Sequence, residues 1–149
     1  MPESPEINIL VIHGPNMNLV GKRPKETFGT LTLDKINRSL RRRAQDLSAN
    51  LKIFQSNSEP DIVTKLQRQR NWAEGILLNP TTLCFTSYTI LDTVELIQLP
   101  VMEVHMTETL AGRSVTDSIL TPVCAKRLVG PVYGVYENAL TDLVNLVSQ

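Results

Sequence analysis

Five short apolar runs punctuate the chain, separated by longer stretches whose apolar residues recur every three or four positions. Ile7 to Ile12 (INILVI) is β-branched and does not alternate with polar residues, the pattern of a strand covered on both faces. Leu51 to Phe54 is weaker, and Gly75 to Leu78, Val101 to Val104 and Leu128 to Val132 follow. Pro131 inside the last run predicts an edge strand or a strand end, because proline brings no N–H to a ladder. Leu33, Ile36, Leu40, Ala44 and Leu47 predict an amphipathic helix, with Arg38, Arg41, Arg42 and Arg43 largely on its other faces. Ser58-Glu59-Pro60-Asp61 supplies a cap, an acidic first turn and an early proline for a helix through Ile62, Val63 and Leu66. Ile90, Leu91, Val94 and Ile97 mark a third helix, capped near Thr86 or Ser87. Ala139, Leu140, Leu143, Val144 and Val147 mark a last one after Gly134. Strands alternating with helices predict βαβ units, a parallel sheet and an α/β fold. With 149 residues and no repeat or linker, one doubly wound domain over residues 1–149 is expected.

Composition narrows the class of function. Fifteen basic residues balance fifteen acidic ones, so neither nucleic acid nor an anionic membrane is the expected partner. No apolar run reaches the length of a membrane span, and the stretch Met1 to Glu6 lacks the basic and apolar regions of a signal peptide. Cys84 and Cys124 are far apart and in no metal-like spacing. A reduced, cytoplasmic protein without a metal site is the expectation.

Polar residues gather at the ends of the apolar runs, where open parallel sheets bind ligands. The first run ends in His13-Gly14-Pro15-Asn16-Met17-Asn18, the second in Gln55-Ser56-Asn57, the third in Asn79-Pro80-Thr81-Thr82 and the fourth in His105-Met106-Thr107-Glu108. Leu19 to Thr30, rich in charge, glycine and proline, is long for a βα turn and reads as a lid carrying Arg23. No GxGxxG, P-loop, HExxH or nucleophile elbow is present. What remains is amides, hydroxyls, one imidazole and an arginine, an inventory suited to a small oxygen-rich anion. Glu103 and His105 lie two apart on one strand, so both side chains point the same way. A carboxylate so placed favours the proton-donating form of an imidazole.

These motifs together resemble the type II 3-dehydroquinate dehydratases (type II dehydroquinases). Ile9 to Leu19 with its GPNMN turn, the lid Gly21-Lys22-Arg23 through Phe28-Gly29, Gln55-Ser56-Asn57-Ser58-Glu59, Leu78-Asn79-Pro80 with Thr86-Ser87, and Pro100 to His105 carry the likeness over nearly the whole chain. The resemblance implies a flavodoxin-like three-layer sandwich with a five-stranded parallel sheet. It also implies a lyase that dehydrates a small cyclic carboxylate without a cofactor. In that mechanism a lid tyrosinate beside an arginine removes a proton alpha to a ketone, an asparagine-held water stabilises the enolate, and a histidine protonates the departing hydroxyl. Carried onto this chain, the resemblance makes His105 the general acid with Glu103 behind it, Arg23 the lid arginine, and Asn16 the enolate-stabilising amide. Asn79, Met106 and Thr107 become substrate-binding, Arg113 is the surviving arginine of a shortened segment, and Asp92 reaches a neighbouring subunit's site. The implied homo-oligomer is a trimer, or a dodecamer assembled from trimers.

The chain departs from the family pattern at two pocket positions. Phe28 stands where the lid tyrosine is expected, and Phe85 where a substrate-binding histidine is expected. Leu91 replaces an arginine before Asp92. The expected function is dehydratase-type chemistry on a related, less polar substrate. A catalytically silent binding homologue, and a working 3-dehydroquinate dehydratase with a substitute base (Glu26 or Tyr88), are the alternatives.

Overall fold

The computed structural model describes residues 6–149. Residues 1–5, which carry most of the N-terminal stretch read above for signal-peptide character, lie outside them. The chain runs through β1 (Ile7–His13), a 3-10 turn at Met17–Lys22, α1 (Lys25–Phe28), α2 (Leu33–Leu47), β2 (Ala49–Gln55), α3 (Glu59–Gln69), β3 (Gly75–Asn79), α4 (Tyr88–Ile97) and β4 (Val101–His105). A small ribbon of β5 (Thr109–Leu110) and β6 (Arg113–Ser114) follows, then β7 (Lys126–Val129) and α5 (Val135–Val147). The main sheet has the order β2-β1-β3-β4-β7, and every pairing in it is parallel. This is the flavodoxin-like arrangement, in which the winding reverses between β1 and β3 and opens a crevice beyond their carboxyl ends. His13 pairs with both Gln55 and Asn79, so three strands finish level at that crevice.

The unalternating apolar run of β1 is explained by what covers it. Ile9 and Val11 join Leu77, Met102 and Val104 beneath α2 and α5, whereas Leu10 and Ile12 join Ile76, Leu78 and Val101 beneath α3 and α4. Each fully buried side chain of this size contributes about 1.5–3 kcal/mol. The helices start where their caps dictate. Oγ1 of Thr32 accepts from the Lys35 amide at 3.2 Å, Oγ of Ser58 from Asp61 at 3.2 Å and Oγ of Ser87 from Ile90 at 3.0 Å. Ser87, not Thr86, is therefore the cap of α4.

Two expectations change. The last strand is Lys126–Val129 and not Leu128 to Val132, because Gly130 turns out of it at φ +41° and Pro131 cannot continue the ladder. Leu19 to Thr30 is partly helical, through the end of the 3-10 turn and α1. Among the described residues no helix is long and apolar enough to cross a membrane.

Candidate active site

At the crevice the ends of β1 and β3 touch backbone to backbone. The Gly14 amide donates to the Asn79 carbonyl at 2.8 Å, and a Cβ at Gly14 would meet the Asn79 and Pro80 oxygens at 2.7 Å, so only glycine fits. Asn16 follows in the left-handed region at φ +70°, which asparagine tolerates. The second polar turn braces the first: the Asn16 amide donates to Oδ1 of Asn57 at 2.9 Å, and Nε2 of Gln55 donates to the Gly14 carbonyl at 3.2 Å.

Asn16, Met17, Arg23, Phe28, Asn79, Thr81, His105, Met106 and Thr107 line one cavity with Val20 and Leu110. Its volume is ≈ 30 Å³, about the share of one water molecule. Outside it, a vestibule of ≈ 330 Å³ is lined by Leu19 and Lys22 and shares Asn16 and Arg23 with it. Lys22 and Arg23, two of the three cations of the lid segment, therefore line that vestibule. The lid is fixed at its far end by Tyr133, whose hydroxyl donates to the Phe28 carbonyl at 2.9 Å. A larger cavity of ≈ 540 Å³ lies between α2 and the start of α5 and is lined by neither His105 nor Phe28.

His105 is fully set by its neighbours. Its Nε2 donates to Oε2 of Glu103 at 2.6 Å, and its Nδ1 is buried without a partner. Glu103 also accepts from Ser118 and Thr121, each at 2.6 Å. Burial pushes its carboxyl up, but the hydrogen bonds from His105, Ser118 and Thr121 outweigh that and hold it below the usual carboxylate range. The dyad thus presents an imidazole whose one open nitrogen belongs to a cavity-lining residue. In the neutral ring that nitrogen is an acceptor, and in the charged ring it is a donor.

Asn79 is held from behind by a buried chain. Its Nδ2 donates to the Tyr136 hydroxyl at 2.9 Å, that hydroxyl donates to Nδ1 of His13 at 3.2 Å, and Nε2 of His13 donates to Oδ1 of Asn37 at 2.8 Å. This sense of donation requires a neutral His13. Burial lowers the His13 pKa from 6.5 to about 4, keeping it so. Burial likewise raises the Tyr136 phenol, despite the Asn79 hydrogen bond. Oδ1 of Asn79 accepts from the Thr81 amide at 3.1 Å and Nδ2 also faces Sδ of Met17 at 3.4 Å, so the amide is largely committed to the scaffold.

Two residues assigned to the pocket by resemblance, Phe85 and Arg113, fall elsewhere. Phe85 does not line the cavity: it packs against the α4-side core with the Arg113 guanidinium 4.6 Å above its ring. Arg113 is taken up by that stacking and by an exposed ion pair with Asp117 at 3.9 Å. Asp92 is exposed on α4. Neither Glu26 nor Tyr88 lines the cavity, and Tyr88 is 69% exposed. Ser118 and Thr121, the other partners of Glu103, have no signal in the sequence, being 15 and 18 residues from it. Donor atoms of Cys84, Glu103 and His105 lie within 4.8 Å of one another, a set able to hold a metal ion. Burial and the Glu103 charge raise the Cys84 thiol to about 11, and the Glu103 carboxylate already takes three donors.

The flavodoxin-like sheet thus carries two asparagine turns around its switch point and an imidazole–carboxylate pair on the neighbouring β4. The sequence model described as "Dehydroquinase class II" matches residues 7–144. The chain belongs to that family. It is 38% identical over 126 residues to the 3-dehydroquinate dehydratase of Caldanaerobacter subterraneus subsp. tengcongensis, covering 85% of this chain and 83% of the relative. Against the 3-dehydroquinate dehydratase of Geotalea daltonii it is 43% identical over 100 residues, 67% of this chain and 69% of the relative. The type II dehydroquinase structure from Butyrivibrio crossotus superposes with a TM-score of 0.83 at 25% identity, covering 97% and 99% of the two chains.

Proposed function

We propose that the protein is a dehydratase-type lyase for a small cyclic carboxylate, with His105 as the general acid. The observation that carries this is the buried, unpartnered Nδ1 of His105 on a residue lining a lidded cavity, with Nε2 fixed by Glu103. The protonated imidazole donates from Nδ1 to the departing hydroxyl, and water leaves as the carbon–oxygen bond breaks. Arg23 and Lys22 draw the carboxylate inward. Among the described residues Arg23 is the only other charged side chain lining the cavity. Phe28 offers the cavity only ring carbons. A substrate whose alpha proton is acidic enough to pass to water, and whose ring carries fewer hydroxyls than 3-dehydroquinate, suits this lining. Losing a positioned acid or base costs about 10²–10⁴-fold in rate, so turnover of 3-dehydroquinate is expected to be slow.

The relatives named 3-dehydroquinate dehydratase support a second reading, turnover of that compound at an ordinary rate. Following enone absorbance after mixing with 3-dehydroquinate separates the two. Slow formation that His105→Ala abolishes supports the first, and robust turnover by the unaltered protein supports the second. Binding without product from any cyclic carboxylate would leave the silent homologue. The same reading includes a homo-oligomer, trimer or dodecamer, in which exposed Asp92 meets a neighbouring copy. Light scattering reads that state directly.

A further inference from the structure

Thr81 combines three features that a purely structural residue does not need. It follows β3 at φ +49°, a left-handed conformation that strains a β-branched side chain. It is 5% exposed, yet its Oγ1 is buried with no hydrogen-bond partner. It also lines the same cavity as His105, the other residue there with an unpaired buried polar atom. Strain held in place next to an unsatisfied hydroxyl is a cost that the apo fold leaves unrecovered. The neighbouring Asn79 amide is largely committed already, since Tyr136, Met17 and the Thr81 amide hold it.

We propose that Thr81 is a substrate-binding, specificity-determining residue whose hydroxyl pairs with an oxygen of the bound ring acid. The inference rests on the lyase reading above and names a contact that reading does not contain. Where Asn79 is spent on the scaffold, Thr81 Oγ1 supplies the polar contact on that wall of the cavity. Met17, Val20, Phe28, Met106 and Leu110 line the cavity with apolar atoms, and beside Asn16, Arg23, His105 and Thr107 the Thr81 hydroxyl adds one further polar contact that favours a ligand with an oxygen placed against it.

The test compares Thr81→Val, Thr81→Ser and Thr81→Gly with the unaltered protein, using quinate as the probe. Melting temperature and the quinate dissociation constant are measured for each. Thr81→Val is expected to melt at or above the parent temperature, because no hydrogen bond is lost, while binding quinate about tenfold or more weakly. Thr81→Ser keeps the hydroxyl and is expected to retain parental affinity. Thr81→Gly relieves the backbone and is expected to raise the melting temperature by about 2–5 °C while binding as weakly as Thr81→Val. Parental affinity in Thr81→Val overturns the proposal and leaves the lyase reading standing, as does a Thr81→Val chain that melts several degrees lower with unchanged affinity. No quinate binding by the unaltered protein overturns the proposal, and the lyase reading is then decided by the enone assay alone.

Discussion

His105 and Glu103 share one face of β4, and the imidazole Nε2 donates to the carboxylate at 2.6 Å with neither side chain exposed. The carboxylate fixes which ring nitrogen carries the proton and leaves Nδ1 for the cavity. Glu103→Gln keeps the shape but removes the charge that stabilises the imidazolium. Its turnover of any accepted substrate is expected to fall about 10²-fold or more. Glu103→Ala in addition strands the three donors that now converge on the carboxylate, and is expected to cost about 3–5 kcal/mol in a urea titration.

Acid should weaken the fold through two buried groups. His13 is neutral in the native state because burial lowers its pKa from 6.5 to about 4. Between those values the unfolded chain binds a proton that the folded chain does not, so stability rises with pH there and falls as pH drops from 6.5 towards 4. The loss from this group is about 3 kcal/mol once complete. Glu103 acts in the same sense. Its folded carboxyl lies below its ordinary value, so its contribution is present above that value and disappears as pH falls through the lower one. Urea midpoints measured from pH 7 to pH 4 should decline steadily, and His13→Gln should flatten the upper part of that decline.

Tyr136 bridges His13 to Asn79, and removing its hydroxyl leaves a buried acceptor and a buried donor unpaired. Tyr136→Phe is expected to cost about 2–4 kcal/mol, read by thermal or urea unfolding. An unchanged midpoint would mean that the chain from Asn37 to Asn79 contributes nothing.

The lid depends on Gly29 and Tyr133. Gly29 sits at φ +59°, and a Cβ there would fall 2.4 Å from the Tyr133 hydroxyl. Gly29→Ala should therefore loosen the lid, and so, more mildly, should Tyr133→Phe. Limited trypsin digestion should cut faster after Lys22 and Lys25 in both variants, while the urea midpoint of Tyr133→Phe moves by less than about 1 kcal/mol.

Much of the scaffold is written locally. The unbroken apolar run of β1 announces a strand covered twice, and Ser58-Glu59-Pro60-Asp61 announces the start of α3, because both signals act within a few residues. The pairing of Glu103 with His105 is equally legible, since a strand repeats every two positions. What the sequence does not reveal is long-range. Ser118 and Thr121 reach Glu103 only through the ribbon and turns after β4, and Tyr136 reaches Asn79 from a helix 57 residues away. Phe85 and Arg113 were assigned to the pocket by likeness, and the chain instead stacks them on each other outside it. Thr81 lay in a recognised turn, but its strain and its unpaired hydroxyl exist only in three dimensions.

The most direct measurement is enone formation from 3-dehydroquinate by the unaltered protein and by Phe28→Tyr, under identical conditions. Phe28 lines the cavity that His105 also lines, and it carries no group that accepts a proton. Restoring a phenol beside Arg23 is expected to raise the rate by about 10²-fold or more. Equal rates in the two proteins, or brisk turnover without the phenol, would contradict the claim that this site retains its proton donor and lacks the opposing acceptor.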